Sequence, residues 1–530
     1  MINEVVIVGS GPSGVASALG FAENGIVPVI LDVGNESRDY QPRDISVYEY
    51  RKSPDSFNVM IGENYEGLNN LIHENKIFPK LISPFMQFVI KDVEKLSPIE
   101  EKGFVAVQSF AKGGLANAWG AGLYRCVDDE LMGLPVNSSD LSPYYDKLTR
   151  EIGISGDDDD LTTFFGSTTY LLGPLKLSRK SEVLYLKYKR NKKKLNDRGV
   201  YIGRPRLCAL SQSYNNRTEC KYHNLESWFP NQPCIYTPTF TLQRLIKENK
   251  VIYHNSLLVK KWIRAGKYII VIAENVNSGT EVAFKCKTLI LAAGTINSAK
   301  IVLNSKNDFK TKLPLFDNAL VQIPLIFPKF IGSKFDSQVL GLPNLDMIVD
   351  LKKINLKLKG SIIELAFPAR SFFNEMLPFS AKDNLVFLKM FLPSLMVLLL
   401  YFPSSSRNIG YLMLHSDKKL EAYSRPYYID KYIIKEVVNT FLRLGVLTHS
   451  SLMQKAQPGY AIHYAGTLPM VENPKQDYQC NKAGELYDEP DVYITDGSLF
   501  SYIPAKNISF TFMANAMRIA DNISKVIHRR

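Results

Sequence analysis

A glycine-rich turn near the start of the chain has the residue types and spacing of a phosphate-binding loop. Gly9, Gly11 and Gly14 follow a short apolar run and precede a stretch of small and apolar residues at helical spacing. Gly9 permits a tight turn, Gly11 lets the backbone approach a pyrophosphate, and Gly14 lets a helix pack closely on a strand. Pro12 and Ser13 complete the turn, and free N–H groups at the start of the following helix would face the phosphates.

An acidic residue lies where the ribose of a dinucleotide is expected. Asp32 stands 18 residues after Gly14 and ends a second apolar run, residues 27–31. A carboxylate at this point can accept hydrogen bonds from the ribose hydroxyls. Strand, turn, helix, strand and acid together predict a dinucleotide-binding unit, and the alternative is a tight turn without a ligand. The pattern alone does not separate FAD from NAD.

The elements that would complete this unit are spread along the chain. Apolar runs predict further strands at 251–253, 268–273, 288–291 and 492–494, and helical spacing predicts helices over 15–24 and 509–526. Ser142 and Pro143 have the residue types of a helix cap and first position, which predicts a helix starting there. Because the sheet-forming runs lie at the start, middle and end, the nucleotide domain is predicted to be discontinuous.

The predicted fold class is α/β. A Rossmann-like nucleotide-binding domain with a parallel sheet would be built from residues 1–150, 246–310 and 476–530. An inserted α+β substrate domain with a mixed or antiparallel sheet would comprise a cap region, 151–245, and a substrate-binding region, 311–475. A length of 530 residues fits two such domains.

The formal charge of +12 permits a nucleic acid, an anionic membrane or a phosphorylated substrate as partner. The densest basic run, residues 187–194, lacks spaced aromatic residues and is accompanied by no nucleic-acid motif. A solvated basic face is therefore the preferred interpretation, and no nucleic-acid partner is predicted.

Six scattered cysteines predict a reducing compartment rather than a disulfide scaffold. Cys220, His223 and Cys234 offer fewer ligands than a closed zinc site requires, so ordinary packing is preferred and no metal is predicted. The first apolar run leads directly into the glycine loop, so no targeting signal is predicted. A cytoplasmic protein is expected, with association at the inner face of the membrane as a second option.

One segment, residues 385–402, is almost wholly apolar and long enough for a membrane span. A single span would separate the N-terminal cofactor loop from the C-terminal residues that must reach the same cofactor, so a span is not expected. The two remaining interpretations are a buried helix and an apolar surface, residues 372–402, that contacts one leaflet peripherally.

Three further segments resemble the glucose–methanol–choline (GMC) oxidoreductase family, whose members bind FAD. They are a second glycine cluster at 113–122, the run LAAGTINS at 291–298, and the C-terminal block 463–511 with HYAGTLPM at 463–470. Ala299, Lys306 and Ile508 depart from the family pattern, and the resemblance is poor over 160–240 and 311–450. Besides the first loop, it implies cofactor contacts from Gly113, Gly114, Asn117, Ala118, Trp119, Gly120, Val259, Ala292, Ala293, Gly294, Asp496, Gly497, Asn507, Ile508 and Thr511.

The resemblance also implies the catalytic pair. His463 would be the base next to the flavin, and Asn507 would hydrogen-bond the developing alkoxide of an alcohol substrate. An imidazole can take the hydroxyl proton near neutral pH while a hydride leaves the carbon. Ala118 stands where some sugar-oxidising relatives carry a histidine joined to the flavin, so a non-covalent FAD is expected.

The glycine cluster at 113–122 looks most like bacterial relatives associated with sugar and envelope-polysaccharide chemistry. The expected substrate is therefore a sugar or polyol, lipid-linked if the apolar segment touches a membrane. The alternatives are a flavin-dependent reductase or isomerase acting on a lipid, and a non-catalytic flavin-bearing subunit. The electron acceptor is not indicated by any motif.

Overall fold

The structure is a computed structural model and describes residues 2–37, 45, 49, 52–54, 56, 79–223, 226–334, 336, 338–364 and 380–529. The helices are α1 (Pro12–Glu23), α2 (Val93–Leu96), α3 (Ser138–Ile152), α4 (Thr162–Phe165), α5 (Arg179–Asn196), α6 (Pro238–Lys247), α7 (Thr295–Ser305), α8 (Ala381–Phe391), α9 (Lys431–Arg443) and α10 (Ser509–Arg529). The strands are β1 (Ile2–Val8), β2 (Val29–Leu31), β3 (Ile99–Lys102), β4 (Val200–Gly203), β5 (Ile252–His254), β6 (Leu257–Ala265), β7 (Tyr268–Asn275), β8 (Glu281–Leu291), β9 (Leu313–Leu315), β10 (Leu320–Ile326), β11 (Pro343–Leu351), β12 (Leu356–Glu364), β13 (Leu395–Tyr401), β14 (Gly410–Leu414), β15 (Leu420–Tyr423), β16 (Gln454–Lys455) and β17 (Val492–Ile494).

A seven-stranded sheet is built from the start, middle and end of the chain. Its order is β5-β2-β1-β8-β7-β6, with β17 paired to β8. The strands β1, β2, β5, β8 and β17 are mutually parallel, whereas β6, β7 and β8 form an antiparallel meander. The predicted strands near 251, 268, 288 and 492 are confirmed, and the fold class α/β with a parallel sheet is confirmed.

The helix after the glycine loop lies against the C-terminal helix at unusually close range. A side-chain carbon at Gly20 of α1 would come within 2.9 Å of the Ala520 side chain of α10. A glycine inside a helix costs roughly 0.5–1 kcal/mol relative to alanine, and here it permits the close approach. The hydroxyl of Tyr144 on α3 donates to Asp521 of α10 at 2.9 Å, which joins a third helix to this layer.

A second layer is an antiparallel sheet of six strands in the order β16-β10-β13-β12-β11-β4. One face packs on α5 and α9 around a core that includes Leu184, Met347, Leu398 and Phe441. A smaller mixed sheet, β3-β15-β14-β9, packs instead into the core of the seven-stranded sheet, where Leu412 and Ala422 are buried. The predicted mixed or antiparallel sheet next to the parallel one is confirmed.

The apolar segment 385–402 is neither a single buried helix nor a single surface. Its first part lies on α8, where Val386 is 63% exposed, and its last part is β13, a strand of the six-stranded sheet. Met396 and Leu398 point into the core, while alternate residues point the other way. The prediction of a buried helix was wrong because a strand covered on both faces is apolar at every position and loses its two-residue period.

Within the described ranges, every helix is too short or too polar to cross a bilayer. Residues 372–379, part of the predicted membrane-contacting surface, lie outside the described residues.

The helix expected to start at Ser142 starts earlier. Ser138 is its first residue, and the side chain of Asn137 accepts from the N–H of Asp140 at 2.9 Å as the N-cap. Asp140 returns a bond to the N–H of Asn137, which completes a capping box. Pro143 therefore lies inside α3. The predicted start was wrong because the capping box upstream already satisfies free backbone N–H groups, so the helix begins there.

The basic run lies on α5, whose apolar residues Leu184, Tyr188 and Leu195 face the core. From Lys189 to Lys194 the side chains are exposed. The basic run therefore forms a solvent-exposed face of α5, and the prediction that it binds no nucleic acid stays a prediction.

The register of β13 predicts that truncation of two adjacent leucines lowers stability by very different amounts. Leu398 is fully buried in the core, whereas Leu399 is on the opposite face and only half-buried. We expect Leu398→Ala to lower the free energy of unfolding by about 2–5 kcal/mol and Leu399→Ala by about 1 kcal/mol or less. Urea unfolding of both variants measures the difference, and equal losses would contradict the assigned register.

Candidate active site

A cavity of about 990 Å³ lies between the carboxyl edge of the parallel strands and the free face of the six-stranded sheet. This volume is at the upper end of the range for ligand pockets, so the cavity can hold more than one small ligand. The turns that follow β1, β2, β8 and β17 line this cavity, because parallel strands direct their carboxyl ends to one edge of the sheet.

The first glycine loop forms one end of the cavity. A side-chain carbon at Gly14 would lie 2.0 Å from the carbonyl oxygen of Gly9, so Gly14 packs directly on the turn. Gly9 itself has a φ of +94° and lies against Ala292, at the end of β8. A side-chain carbon at Gly11, in contrast, would meet no atom within 4 Å. The turn is therefore closed towards the protein and open towards the cavity at Gly11.

Asp32 follows β2 on the same edge. Its carboxylate accepts from the hydroxyl of Ser10 and, at 3.1 Å, from that of Tyr253. Burial raises the pKa of Asp32 to about 6, and these hydrogen bonds act in the opposite direction. Ser10 also accepts from the N–H of Gly113 at 2.9 Å, which joins the first glycine loop to the second.

The C-terminal block is attached to the central motif through Asp496. Its buried carboxylate accepts from the N–H of Gly294 at 2.9 Å and from the hydroxyl of Ser298 at 2.5 Å. Burial raises the pKa of this carboxyl group, and the hydrogen bonds oppose that change. Thr495, one residue earlier, extends the pairing of β17 with β8 by donating to the carbonyl of Leu291 at 3.0 Å. These bonds hold the turns after β8 and β17 together.

Most of the residues expected at the site lie on the cavity wall: Gly9, Gly11, Pro12, Ser13, Asp32, Gly114, Ala118, Trp119, Gly120, Val259, Ala292, Ala293, Gly294, His463, Asp496, Gly497, Asn507 and Ile508. Four others lie behind it. Gly14 and Gly113 shape the two loops, and the Asn117 amide donates to the carbonyls of Lys112 and Gly114. Thr511 is buried, with its hydroxyl 2.7 Å from that of Tyr145.

The cavity brings His463 and Asn507 together. The amide nitrogen of Asn507 lies 3.0 Å from Nε2 of His463. Nδ1 of His463 lies 2.9 Å from Oδ1 of Asn318, whose own amide nitrogen donates to the carbonyls of Phe402 and Pro504 at 2.8 and 3.0 Å. Because the Asn318 amide nitrogen has these two acceptors, its oxygen is the atom facing Nδ1. The imidazole proton is thereby placed on Nδ1, and Nε2 keeps its lone pair.

Asn318 is positioned by an antiparallel bridge between distant parts of the chain. Phe316 pairs with Ala465, so Asn318 stands opposite His463 two residues further along. Asn318 is not predicted from the sequence, because it lies where the family resemblance is poor. Only the pairing of the two segments shows its place.

A buried ion pair next to His463 was also missed. The ammonium of Lys359 lies 3.1 Å from the carboxylate of Asp346 and donates to the hydroxyl of Ser361. Tyr124 donates to the other carboxylate oxygen at 2.5 Å. Lys359 is on β12 and lines the cavity, and its ammonium is 5.8 Å from the ring centroid of Tyr401.

The surroundings favour a neutral imidazole. Burial lowers the pKa of His463 to about 4, and the charge of Lys359 acts in the same direction. The ring of Tyr401 stacks on the imidazole with centroids 5.5 Å apart and planes at 29°. At neutral pH His463 is therefore uncharged, and its Nε2 is an acceptor that in this structure receives the hydrogen bond of the Asn507 amide.

The parallel sheet, the glycine loops at its carboxyl edge and the antiparallel sheet across the cavity define the fold of FAD-binding oxidoreductases. The crystal structure of pyridoxine 4-oxidase from Mesorbium loti is similar over 100% of this chain and 99% of that one, with a TM-score of 0.58 and 13% identical residues. At that identity the likeness concerns the fold. No protein-family model and no curated protein sequence matches the chain.

The lowered pKa of His463 predicts a contribution to the pH dependence of stability. Between pH 6.5 and about 4 the unfolded chain binds a proton at this residue more readily than the folded protein, so stability falls as the pH falls. We expect His463→Gln to lose less stability than the natural protein between pH 6.5 and 5, by about 2 kcal/mol.

Denaturant unfolding of both proteins at the two pH values measures this difference. Buried acids such as Asp32 and Asp317, whose pKa values are raised, affect both proteins equally and cancel in the comparison. Identical pH dependence in the two proteins would contradict the lowered pKa.

Proposed function

We propose that this protein is a divergent GMC-type flavoprotein that binds FAD non-covalently and oxidises an alcohol group. The observation that carries the proposal is the pairing of His463 and Asn507, with Nε2 of His463 unprotonated, in the same cavity as the dinucleotide loop. The motif resemblance at 463–511 and the fold likeness to an FAD oxidoreductase support it.

The cavity suits FAD. The open side of Gly11 and the N-terminus of α1 offer space and N–H donors for a pyrophosphate, and Asp32 stands where it could accept from ribose hydroxyls. The second loop, from Gly114 to Gly120, forms a wall against which a flat ring could lie, and Gly114, Ala118 and Gly120 leave its backbone open to close approach. Ala118 offers no atom for a covalent link, so the cofactor would be released by denaturation.

The roles of the chain's own groups follow from their geometry. FAD bound in the cavity would supply the two-electron acceptor for the hydride of the carbinol carbon. Nδ1 already donates to Asn318, so Nε2 of His463 would receive the hydroxyl proton once the substrate hydroxyl takes the place of the Asn507 amide at Nε2. The amide of Asn507, which faces Nε2 at 3.0 Å, would donate to the same oxygen as it gains negative charge and so orient the carbon. The cation of Lys359 would further stabilise that charge.

The alternatives differ in how the flavin is reduced. A reductase or isomerase acting on a lipid, or a non-catalytic flavin-bearing subunit, would keep its colour when an alcohol is added without oxygen. The proposed oxidase or dehydrogenase would be bleached by its substrate alone. The sugar or polyol substrate suggested by the second glycine loop, and the peripheral membrane contact through 372–402, stay predictions.

Substitutions at two glycines of the first loop test cofactor binding and folding separately. We expect Gly11→Ala to fold with an unchanged melting temperature of the apoprotein and to bind FAD at least about tenfold more weakly, because its methyl group takes space beside the phosphates. Gly14→Ala should instead destabilise the apoprotein, because its methyl group overlaps the carbonyl of Gly9. Thermal unfolding and FAD titration measure both effects, and unchanged FAD affinity in Gly11→Ala would contradict the assigned phosphate site.

The catalytic pair is tested by anaerobic bleaching. The holoprotein should show a flavin spectrum that passes into the supernatant on acid precipitation, and sugars, polyols and n-alkan-1-ols are then screened. We expect His463→Ala to retain FAD and to slow bleaching by about 10²–10⁴-fold, because no group remains to take the hydroxyl proton. His528→Ala, at an exposed histidine whose ring nitrogen contacts the Asn24 carbonyl, is the matched control.

A coloured protein that no alcohol bleaches would contradict alcohol oxidation and favour the non-catalytic or reductase alternatives. Unchanged bleaching in His463→Ala would remove this histidine from the mechanism.

A further inference from the structure

The free face of the six-stranded sheet forms the cavity wall across from the glycine loops. On β10, β12 and β13, alternate side chains such as Ile323, Ile362 and Leu398 enter the core. The side chains between them line the cavity. Their composition bears on which alcohol the proposed enzyme could accept, and the inference below rests on that proposed function.

The pairing of these strands arranges the cavity-facing residues in three rows. The first row is Leu320, Tyr401 and Lys359; the second is Gln322, Leu399 and Ser361; the third is Pro324, Val397 and Ile363. Rows are two residues apart along each strand, so the first and third are separated by about 13 Å.

The first row holds Lys359 and Tyr401 and adjoins His463, and the second row adds the polar side chains of Gln322 and Ser361. Tyr401 stacks on the imidazole at 5.5 Å, and Lys359 lies beside Tyr401 with its ammonium bound to Asp346 and Ser361. Lys359 and Asp346 are both buried, so their charges act in a region of low dielectric. Hydrogen-bonding groups for a hydroxyl are thus concentrated at the His463 end of the wall.

The third row consists only of aliphatic side chains, and Leu399 in the second row extends this surface towards His463. Glu364, which also borders the cavity, is paired with the Lys180 ammonium at 3.2 Å. A free polyol lying along this wall would place hydroxyl groups against Pro324, Val397 and Ile363, and each hydroxyl without a partner would lose its bonds to water. A hydrocarbon group placed there would instead gain from leaving water.

We propose that the substrate is an amphipathic alcohol, with its hydroxyl end beside His463 and a hydrocarbon part lying across Leu399, Val397 and Ile363. The wall selects for the apolar part of the substrate, and the pair of His463 and Asn507 acts on the hydroxyl. Among the substrates suggested by sequence, this favours an alcohol or glycosyl alcohol joined to a lipid over a free sugar.

The test uses the FAD-loaded protein and a series of n-alkan-1-ols from ethanol to decanol, with glycerol and glucose as polar comparisons. Anaerobic bleaching gives the rate and the half-saturating concentration for each compound. We expect the half-saturating concentration to fall about three- to fourfold per added methylene until the chain reaches the end of the wall, as expected for burial of each methylene.

A substitution in the third row locates the effect. Val397→Thr replaces a methyl by a hydroxyl of similar size, and we expect it to raise the half-saturating concentration of octanol about tenfold while that of ethanol changes much less. Val27→Thr makes the same chemical change at an exposed valine outside the cavity wall and should leave the ratio of octanol to ethanol as in the natural protein. The melting temperatures of both variants show whether either has a folding defect. The alkanol series on the natural protein tests the proposal without any variant.

A half-saturating concentration that does not depend on chain length would contradict the amphipathic substrate but leave alcohol oxidation in place. A half-saturating concentration of glycerol or glucose below that of octanol would have the same meaning. An alkanol series that shifts the flavin spectrum with the expected length dependence but never bleaches it would contradict the proposed oxidation. The length dependence would still support binding of the hydrocarbon part to the aliphatic wall.

Discussion

The site depends on parallel strands ending at a common edge. β1, β8 and β17 pair in parallel, so the turns that follow them converge although they are hundreds of residues apart in sequence. Asp496 holds the turns after β8 and β17 together, because its buried carboxylate accepts hydrogen bonds from the N–H of Gly294 and the hydroxyl of Ser298. A buried carboxylate is tolerated only when its hydrogen bonds are satisfied, so the position of the C-terminal block is strictly determined.

The histidine is controlled by groups on three separate segments. Asn318 sets the tautomer by accepting from Nδ1, and it can do so because its amide nitrogen is bound to the carbonyls of Phe402 and Pro504. Lys359 and burial keep the pKa of the imidazole low. In the proposed reaction, a low pKa would keep His463 unprotonated but would also reduce its driving force for proton transfer, so stabilisation of the alkoxide by the Asn507 amide would become more important.

The sequence predicted the parallel sheet and the turns at its edge well, and the opposite wall of the cavity poorly. The glycine loop, Asp32 and the strands near 288 and 492 have short-range patterns, because turn geometry and burial of a parallel strand depend on neighbouring residues. The segment 385–402 was misassigned because uniform apolarity is shared by buried helices and by strands covered on both faces. The residues Asn318 and Lys359 follow no local pattern, since each acts through a partner far along the chain.

By itself the sequence determined the α/β class and the glycine loop after β1, and it singled out His463 and Asn507, because these depend on motifs with local backbone geometry or on a resemblance to a family. The tertiary structure decided which nitrogen of His463 carries the proton, which charge stands beside it, and how the opposite wall changes from polar to aliphatic over three rows. Those properties arise from the register between strands, and a register is a relation between segments that no single segment encodes.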